Sequence, residues 1–168
     1  MINIKLATKD DFEFFYDLKC ENSNIFWTGN GEKPLRKNIK NFFDSCLEKE
    51  NLLYERKIFI VYDEDIRVGY LYVIPNGDDV DLPVAIAEAH RGRGFAEKAI
   101  LCGIEYSKNK GFRRLVGHIR EDNLASTNVY KKCGGYFTDN YIIERVSTIK
   151  NGEVVVENVK MYEIVIDF

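Results

Sequence analysis

Residues 84–98 constrain the fold more than any other stretch of the chain. A short apolar run begins with Val84, Ala85 and Ile86 and predicts a strand, and the apolar spacing after it predicts a helix that begins at Phe95. The first amides of a helix have no acceptor within the helix, and the helix dipole adds partial positive charge beside them. This arrangement therefore predicts an anion-binding site at the helix N terminus.

The connection between this strand and helix, which we call the glycine turn, has the sequence Arg91-Gly92-Arg93-Gly94. Glycine allows the backbone to approach a ligand closely and to adopt conformations that other residues avoid, and the arginines add positive charge. The spacing does not match a nucleotide P-loop, and the dinucleotide fingerprint would need a third glycine where Glu97 stands. On this segment alone, a turn that merely connects a strand to a helix stays an open alternative.

The composition predicts a single globular domain over residues 1–168, because 45% of the residues are hydrophobic and 30% are charged. The net charge of −3 excludes an overall basic field that would attract nucleic acid or an anionic membrane. Without a signal peptide or an apolar run of about 18 residues, we expect no membrane span and a cytoplasmic location. The four cysteines are Cys20, Cys46, Cys102 and Cys133. They form no zinc-binding motif, so we expect no bound metal.

Hydrophobic periodicity predicts the order strand, two helices, three strands, helix, strand, helix and two strands. The predicted segments are, in this order, 2–7, 12–21, 34–46, 57–62, 68–74, 84–87, 95–110, 115–119, 123–133, 136–146 and 154–166. Residues 75–79 are predicted as a turn, and Asn151-Gly152 is a strong hairpin signal. Pro83 cannot donate a hydrogen bond to a neighbouring strand, so we expect strand pairing there to be interrupted or at an edge.

Residues 22–34 have the glycine, asparagine and proline content of a loop, yet they include the only tryptophan. We predict that Phe26 and Trp27 line a substrate pocket or belong to a lid over it. The alternative, equally open from the sequence, is that these two rings pack the loop onto the core.

A second informative segment is the predicted helix that follows His118 in the chain. Asn123, Ser126 and Tyr130 are separated by three and four positions, so their side chains share one helix face. The stripe predicted to face the core is a different one, formed by Ala125, Val129 and Cys133. Tyr130 would then lie at the boundary between this face and the core-facing stripe. A purely structural tyrosine with a solvated hydroxyl is the alternative interpretation. Cys133 is a candidate nucleophile, although a buried structural thiol is the favoured interpretation.

Two motifs together resemble the GNAT superfamily of acyl-CoA N-acyltransferases. Arg91-x-x-Gly94-x-Ala96 is similar to its Arg/Gln-x-x-Gly-x-Gly/Ala motif. Residues 123–136 resemble its later motif, in which Asn-x-x-Ser/Ala opens a helix, a tyrosine follows seven residues after the asparagine, and the helix ends in Gly-Phe/Tyr. A doubled glycine displaces Tyr136 by one position. The resemblance is good over residues 55–137, and it implies an α/β fold with a mixed, mostly antiparallel sheet of about seven strands flanked by about four helices.

The resemblance implies acetyl-CoA as the cofactor. It assigns hydrogen bonds with the pantetheine amides to the backbone of Val84, Ala85 and Ile86, and further pantetheine contacts to Asn123 and Ser126. The positions that match the family's pyrophosphate-binding turn and helix start are Arg91, Gly92, Arg93, Gly94, Phe95, Ala96 and Glu97.

The implied activity is N-acetyl transfer, in which a primary amine attacks the thioester directly in a ternary complex. Tyr130 would protonate the departing sulfur. His118 stands where many relatives place a glutamate and could take the proton of the amine, although a structural histidine is as compatible with the sequence. Glu88, Glu121 and Asp122 are weaker candidates for this base.

The acceptor amine stays open between a small molecule and a peptide, and a homodimer is compatible with the sequence. The alternative function is a non-catalytic acyl-CoA sensor or interaction module. We expect no nucleic acid or membrane partner, because the chain is mildly acidic.

Overall fold

The computed structural model describes residues 1–48 and 56–168, so residue 55, the first of the stretch with good family resemblance, lies outside the described residues. In chain order the elements are β1 (Ile2–Leu6), a 3-10 turn (Lys9–Asp11), α1 (Phe12–Lys19), α2 (Asn22–Trp27), α3 (Arg36–Glu48), β2 (Lys57–Asp63), β3 (Ile66–Asn76), β4 (Asp79–Asp81), β5 (Val84–Ile86), a second 3-10 turn (Glu88–His90), α4 (Phe95–Asn109), β6 (Arg114–Arg120), α5 (Leu124–Lys132), β7 (Tyr136–Lys150) and β8 (Glu153–Asp167).

The strands form one sheet in the order β1-β2-β3-β4-β6-β8-β7, and β5 pairs with β3 off this path. Pairing is antiparallel except between β4 and β6, which run parallel through Val80 and Leu115. Strand β3 pairs with β4 through residues 74–76 and with β5 through residues 69–71. Strands β4 and β5 therefore both pair with β3, but with different parts of it.

The sheet divides at this change of pairing, next to Pro83. The Tyr72 amide still donates to the Pro83 carbonyl at 2.8 Å, which keeps this part of the chain on β3. On its other side, β5 has no strand partner among the described residues, whereas β4 pairs with β6. The predicted interruption of pairing at Pro83 is thus confirmed, and it opens a gap between β5 and β6.

Alternate residues of the central strands supply two cores on opposite faces of the sheet. One face contributes Phe59 and Leu71 to a core completed by α4 and α5. The other face contributes Ile60 and Tyr70 to a core completed by α1 and α3, where Phe15 is fully buried. A central strand buried on both faces explains the nearly continuous apolar run of β2.

The predicted fold class is confirmed, with eight strands and five helices in the described residues where about seven and about four were expected. The expectation of a loop over 22–34 was wrong at its start, because residues 22–27 form α2. The glycines and the proline of that segment all follow position 28. Ile25 is buried, and the Asn24 side chain donates to the Leu18 carbonyl at 2.8 Å, so this short helix is held by tertiary contacts.

The predicted turn over residues 75–79 is shorter than expected. Pro75 and Asn76 still belong to β3, and Asp79 begins β4, which is the additional strand. The predicted hairpin turn at Asn151-Gly152 is confirmed, with φ of 53° and 83° at its two residues. The prediction of one domain over 1–168 stays a prediction.

Helix α4 offers a matched test of this packing. Ile100 is fully buried in the core beneath the helix, whereas its neighbour Leu101 is 46% exposed. We expect Ile100→Ala to lower the free energy of unfolding by about 2–5 kcal/mol, because it leaves a cavity against the sheet. Leu101→Ala should change it by less than about 0.5 kcal/mol. Denaturant unfolding of both variants measures the difference, and equal effects would contradict the assigned face of α4.

Candidate active site

A cleft of about 600 Å³ passes through the sheet where β5 and β6 diverge. Its walls include Phe95 and Tyr130 from the α4 and α5 face and Tyr70 and Tyr72 from the α1 and α3 face. One end of the cleft therefore lies at the glycine turn and α5, and the other lies beneath α1 and α2. We call these the glycine-turn end and the α2 end.

Most of the predicted site residues line this single cleft. They are Trp27, Val84, Ala85, Ile86, Arg91, Gly92, Gly94, Phe95, Ala96, Glu97, His118, Asn123, Ser126 and Tyr130. Arg93 and Phe26 are not among its lining residues. The Arg93 guanidinium lies 3.6 Å from the Asp63 carboxylate, and Phe26 packs edge-on against Trp27 with ring centroids 4.7 Å apart. Phe26 therefore supports Trp27 from behind.

The glycine turn adopts a backbone conformation that disfavours other residues. Gly92 and Gly94 have φ of 74° and 73°, and a Cβ at either position would meet nothing within 4 Å. Conformation, not crowding, thus requires glycine at both positions. Gly94 is the N-cap of α4 and has no side chain to accept hydrogen bonds from the first helical amides. Those amides are available to an anion, which is the property that a pyrophosphate group needs.

Arg91 fixes the glycine turn to β5. Its Nε donates to the Ile86 carbonyl at 2.8 Å, and its Nη2 lies 3.5 Å from the Glu21 carboxylate. The Glu21 carboxylate in turn accepts a hydrogen bond from the Glu88 amide at 3.1 Å. These contacts connect the N-cap residue of α2, the second 3-10 turn and the glycine turn, so they set the position of the α4 N terminus relative to β5.

Strand β5 directs backbone groups into the gap. Pro83 and Ala87 bond to β3 through the Tyr72 amide and the Val68 carbonyl, at 2.8 and 2.9 Å. Because hydrogen-bonding direction alternates along an antiparallel strand, Val84 and Ile86 face the opposite way, toward β6. Arg91 occupies the Ile86 carbonyl, which leaves both polar groups of Val84 and the Ile86 amide for a ligand with amide groups. Together with the uncapped α4 amides, this donor set fits coenzyme A.

Asn123 caps α5, so it opens this helix as the resemblance to the family's later motif implies. Its side-chain oxygen accepts the Ser126 amide at 3.1 Å. The prediction that Ala125, Val129 and Cys133 form the core-facing stripe was partly wrong, because Tyr130 is the buried residue of α5 and Ala125 is exposed. Apolar periodicity alone places Tyr130 at the boundary and Ala125 in the core, whereas the structure buries Tyr130 and exposes Ala125.

The Tyr130 hydroxyl is directed at the point where the sheet divides. It donates to the Leu82 carbonyl at 2.8 Å, and the side chain is only 6% exposed. Burial raises the pKa of this phenol well above its ordinary value, and the nearby Asp81 carboxylate raises it further. Tyr130 therefore keeps its proton throughout the neutral range.

Asp81, which the sequence analysis did not single out, lines the cleft near Tyr130. Burial raises its pKa to about 6. A Cβ on Gly117 would lie 2.8 Å from the Asp81 Oδ1, so glycine on β6 leaves room for this carboxylate. The signal that could have found it is the alternation Asp79-Val80-Asp81, a short strand with one buried apolar residue.

Lys19 is a second residue that sequence reasoning missed, because α1 was treated as a core helix only. Its Nζ lies 4.9 Å from the centroid of the Tyr70 ring and 5.2 Å from that of Tyr72, and it lines the cleft. Burial, together with the nearby positive charge of Arg56, lowers its pKa to about 8. The α2 end of the cleft therefore disfavours an ammonium ion.

His118 lines the cleft from β6, opposite Glu163 of β8 in the strand register. Cys133 does not line it. Its sulfur lies 3.7 Å from the Glu97 carbonyl, and burial raises the pKa of the thiol to about 11, so the thiol is protonated at neutral pH and is a poor nucleophile.

The described residues contain no cluster of three or more metal-ligating side chains. No helix in the described part of the chain is long and apolar enough to cross a membrane.

The cleft, with its uncapped helix amides and free strand edge, has the features that fit an acyl-CoA in a divided sheet. The model of the acetyltransferase (GNAT) family matches residues 17–135, and the chain belongs to this family. The predicted family and fold are thereby confirmed.

Relatives with assigned names are distant. The mycothiol acetyltransferase of Corynebacterium efficiens is 26% identical over 91 residues, which are 53% of this chain and 31% of the relative. The uncharacterized N-acetyltransferase YobR of Bacillus subtilis is 28% identical over 139 residues, or 79% of this chain and 53% of the relative. The chain thus spans about half or less of the length of these curated relatives.

Solved structures share the fold over nearly the whole chain. A spermidine N-acetyltransferase from Vibrio cholerae, in complex with CoA and spermine, has a TM-score of 0.80 at 16% identity and covers 99% of this chain and 95% of its own. The yncA protein of Salmonella typhimurium, solved with acetyl-CoA, has a TM-score of 0.71 at 17% identity and covers 99% of this chain and 93% of its own.

A matched pair of glycines tests the role of the glycine turn. Gly94→Ala and Gly111→Ala each place a side chain at positive φ without a steric contact, so both should lower the free energy of unfolding by about 1 kcal/mol. We expect only Gly94→Ala to weaken CoA binding, by about tenfold or more, because it displaces amides that bind the pyrophosphate. Titration calorimetry with CoA measures this. Equal CoA affinity in both variants would contradict the assignment.

Proposed function

We propose that this protein transfers the acetyl group of acetyl-CoA to a primary amine in a ternary complex. The observation that carries the proposal is the cleft itself, which runs from the uncapped amides of α4, past the free edge of β5, to a buried phenol and a half-buried carboxylate. Family membership supports acetyl transfer as the activity. The absence of an available thiolate at Cys133 favours direct attack by the amine over an acyl-enzyme.

The residues of the glycine-turn end bind and orient. Bound acetyl-CoA supplies the acetyl group as an activated thioester. The α4 amides hold the pyrophosphate, and the backbone of Val84 and Ile86 pairs with the pantetheine amides. Asn123 and Ser126 line the opposite wall. Holding two reactants in this way contributes about 7 kcal/mol or more to lowering a barrier.

Tyr130 is the proposed acid. Its phenol holds a proton at neutral pH and donates it to the Leu82 carbonyl, so the hydroxyl hydrogen must turn from this carbonyl toward the sulfur as the thiolate leaves. A phenol of ordinary pKa about 10 can donate to a thiolate whose conjugate acid has a pKa of about 8.5 at a cost of about 2 kcal/mol. Burial increases this cost, so Tyr130 acts mainly by stabilising negative charge on the sulfur through a hydrogen bond.

Asp81 is the proposed base, in preference to His118. With a pKa of about 6, its carboxylate is mostly ionised at pH 7 and can accept a proton. The acceptor amine must lose one, and the pKa of about 8 for Lys19 shows that this cleft lowers the pKa of an amine. Transfer from an amine of that pKa to Asp81 costs only about 3 kcal/mol. His118 also lines the cleft and is tested beside Asp81 below.

The names of the relatives support a small-molecule acceptor over a peptide, because mycothiol and spermidine are both small. The alternative of an acyl-CoA sensor has no need of an acid and a base in its binding cleft. Incubation with acetyl-CoA and an amine panel separates the two functions, since an acetyltransferase releases free thiol and a sensor binds without releasing it. The cytoplasmic location and the homodimer stay predictions.

Tyr130→Phe tests the acid. We expect kcat to fall by about 100-fold, because the sulfur loses its hydrogen-bond donor, while KM for acetyl-CoA stays within about twofold. Tyr136→Phe is the matched control, since Tyr136 is 48% exposed and its hydroxyl bonds to Asp167 outside the cleft. Thiol release measured with a chromogenic reagent gives both constants. Retention of kcat in Tyr130→Phe would remove this residue from the chemistry.

The pH dependence of turnover tests the base. A base must be deprotonated, so we expect kcat/KM to rise as the pH increases through about 6, the pKa of Asp81. Asp81→Asn should lose this rise and about 100-fold in rate, whereas His118→Gln should keep it. If His118→Gln abolishes the rise and Asp81→Asn retains it, the base is His118.

Unfolding provides a second test of Asp81 without turnover. Its pKa in the folded protein is raised from 3.8 to about 6, so the folded state binds the proton more tightly and wild-type stability falls as the pH rises through this interval. At pH 8, Asp81→Asn should be more stable than the wild type by up to about 3 kcal/mol. The gain should vanish below about pH 4. No difference at pH 8 would show that the carboxylate is not desolvated.

A further inference from the structure

The α2 end of the cleft presents two cations on facing walls. Lys19 lies over the aromatic rings of β3, and Arg120 ends β6. The neighbours Leu115 and Ile119 belong to the core beneath α4, so alternation directs Arg120 to the opposite face, the one that α1 and α2 cover. Trp27 of α2 lies beside Arg120, with its ring 5.3 Å from the guanidinium, and also lines the cleft.

Arg120 has an unused hydrogen-bond donor. Its side chain is only 6% exposed, and its Nε and Nη2 bind the Asp122 carboxylate at 3.0 and 2.9 Å. Its Nη1 is buried and has no hydrogen-bond partner within residues 1–48 and 56–168. A buried donor without an acceptor is costly, and ligand groups are one of the few ways to satisfy it.

Lys19, unlike Arg120, lacks an anionic partner among the described residues. Across the described ranges no carboxylate lies within 4 Å of its Nζ, and its contacts are the ring faces of Phe15, Tyr70 and Tyr72. Arg56 adds a further positive charge nearby, since its guanidinium lies 5.4 Å from the Tyr72 ring.

The carboxylates near this end already have partners or a separate role. Glu21 accepts the Glu88 amide and lies beside Arg91, and Glu157 accepts hydrogen bonds from Lys150 and Thr148. Asp81 belongs to the proposed proton transfer. Within the described residues, the α2 end therefore keeps one cation without an anionic partner, Lys19, and one open donor on Arg120, whose charge is paired with Asp122.

We propose that the acceptor is an amine that also carries an anionic group, a carboxylate or a phosphate, and that Lys19 and Arg120 bind that group. This inference rests on the proposed acetyl transfer and names its substrate class. The anion would satisfy the open Nη1 of Arg120 and neutralise Lys19, and its contacts would direct the amine of the same molecule toward Asp81. A polyamine would instead bring a second ammonium ion beside Lys19, which has no carboxylate within 4 Å among the described residues.

Pairs of amines that differ only in the anionic group test this specificity. We would compare kcat/KM for lysine against cadaverine and for phosphoethanolamine against ethanolamine, with spermidine as a polyamine reference. The expected result is a preference of tenfold or more for the anionic member of at least one pair, because charge-assisted hydrogen bonds discriminate at this level. The two pairs distinguish a carboxylate from a phosphate.

Two variants and a matched control assign the preference to residues. Lys19→Met and Arg120→Gln should each reduce it by about tenfold, through KM for the amine, with KM for acetyl-CoA unchanged, and Lys19→Arg should restore part of it. Lys5→Met is the control, since Lys5 also lies over an aromatic ring, 4.7 Å from that of Tyr62, but does not line the cleft. If Arg120→Gln fails to fold, Lys19→Met decides alone.

Trp27 provides a binding signal that does not depend on turnover, because it is the only tryptophan. In the presence of CoA, Nα-acetyl-lysine should change its fluorescence saturably and N-acetylcadaverine should not; O-phosphoethanolamine and ethanolamine give the phosphate comparison. Efficient acetylation of cadaverine or spermidine, unaffected by Lys19→Met, would overturn the inference and leave acetyl transfer standing. If CoA binds but no amine causes thiol release, the proposed acetyl transfer is wrong. The fluorescence comparison then decides by itself whether the anion site exists.

Discussion

The loss of pairing between β5 and β6 is the constraint on which the rest of the structure depends. A proline without an amide hydrogen stands where the chain passes from β4, which pairs with β6, to β5, which does not. The gap exposes backbone groups of Val84 and Ile86 that would otherwise bond to a neighbouring strand. A ligand with amide groups can replace that strand, so a defect in the sheet becomes a binding site.

The two walls of the gap are held in place by different strand partners and side-chain contacts. Strand β5 is fixed through β3, Arg91 and the contacts of Glu21, whereas β6 is fixed by β8 in an unbroken antiparallel register. Tyr130 connects the two at the point of division through its bond to the Leu82 carbonyl. Rigid anchoring on both sides keeps the distance between cofactor and acceptor set by the fold, as catalysis by positioning requires.

Features that depend on local backbone chemistry could be predicted from the sequence. The glycine turn, the Asn123 cap, the interruption at Pro83 and the Asn151-Gly152 hairpin all follow from residues adjacent in the chain. Features that depend on tertiary contacts could not. Helix α2 is too short to be stable alone and forms because Ile25 and Asn24 are buried. Asp81 and Lys19 belong to the cleft only because elements distant in sequence meet there. The alternation Asp79-Val80-Asp81 marks a short strand, but it does not show which elements lie next to it.

Burial changes the pKa of both the proposed base, Asp81, and the proposed anion-binding residue, Lys19. The same removal of water that raises the pKa of Asp81 lowers that of Lys19, because each charged form loses hydration. An acceptor amine entering this environment is driven toward its neutral, nucleophilic form, while an anionic group on the same molecule gains from Lys19 and Arg120 more than it would in water. A molecule with both groups is thus favoured twice by one physical cause, since the cleft neutralises its amine and pairs its anion.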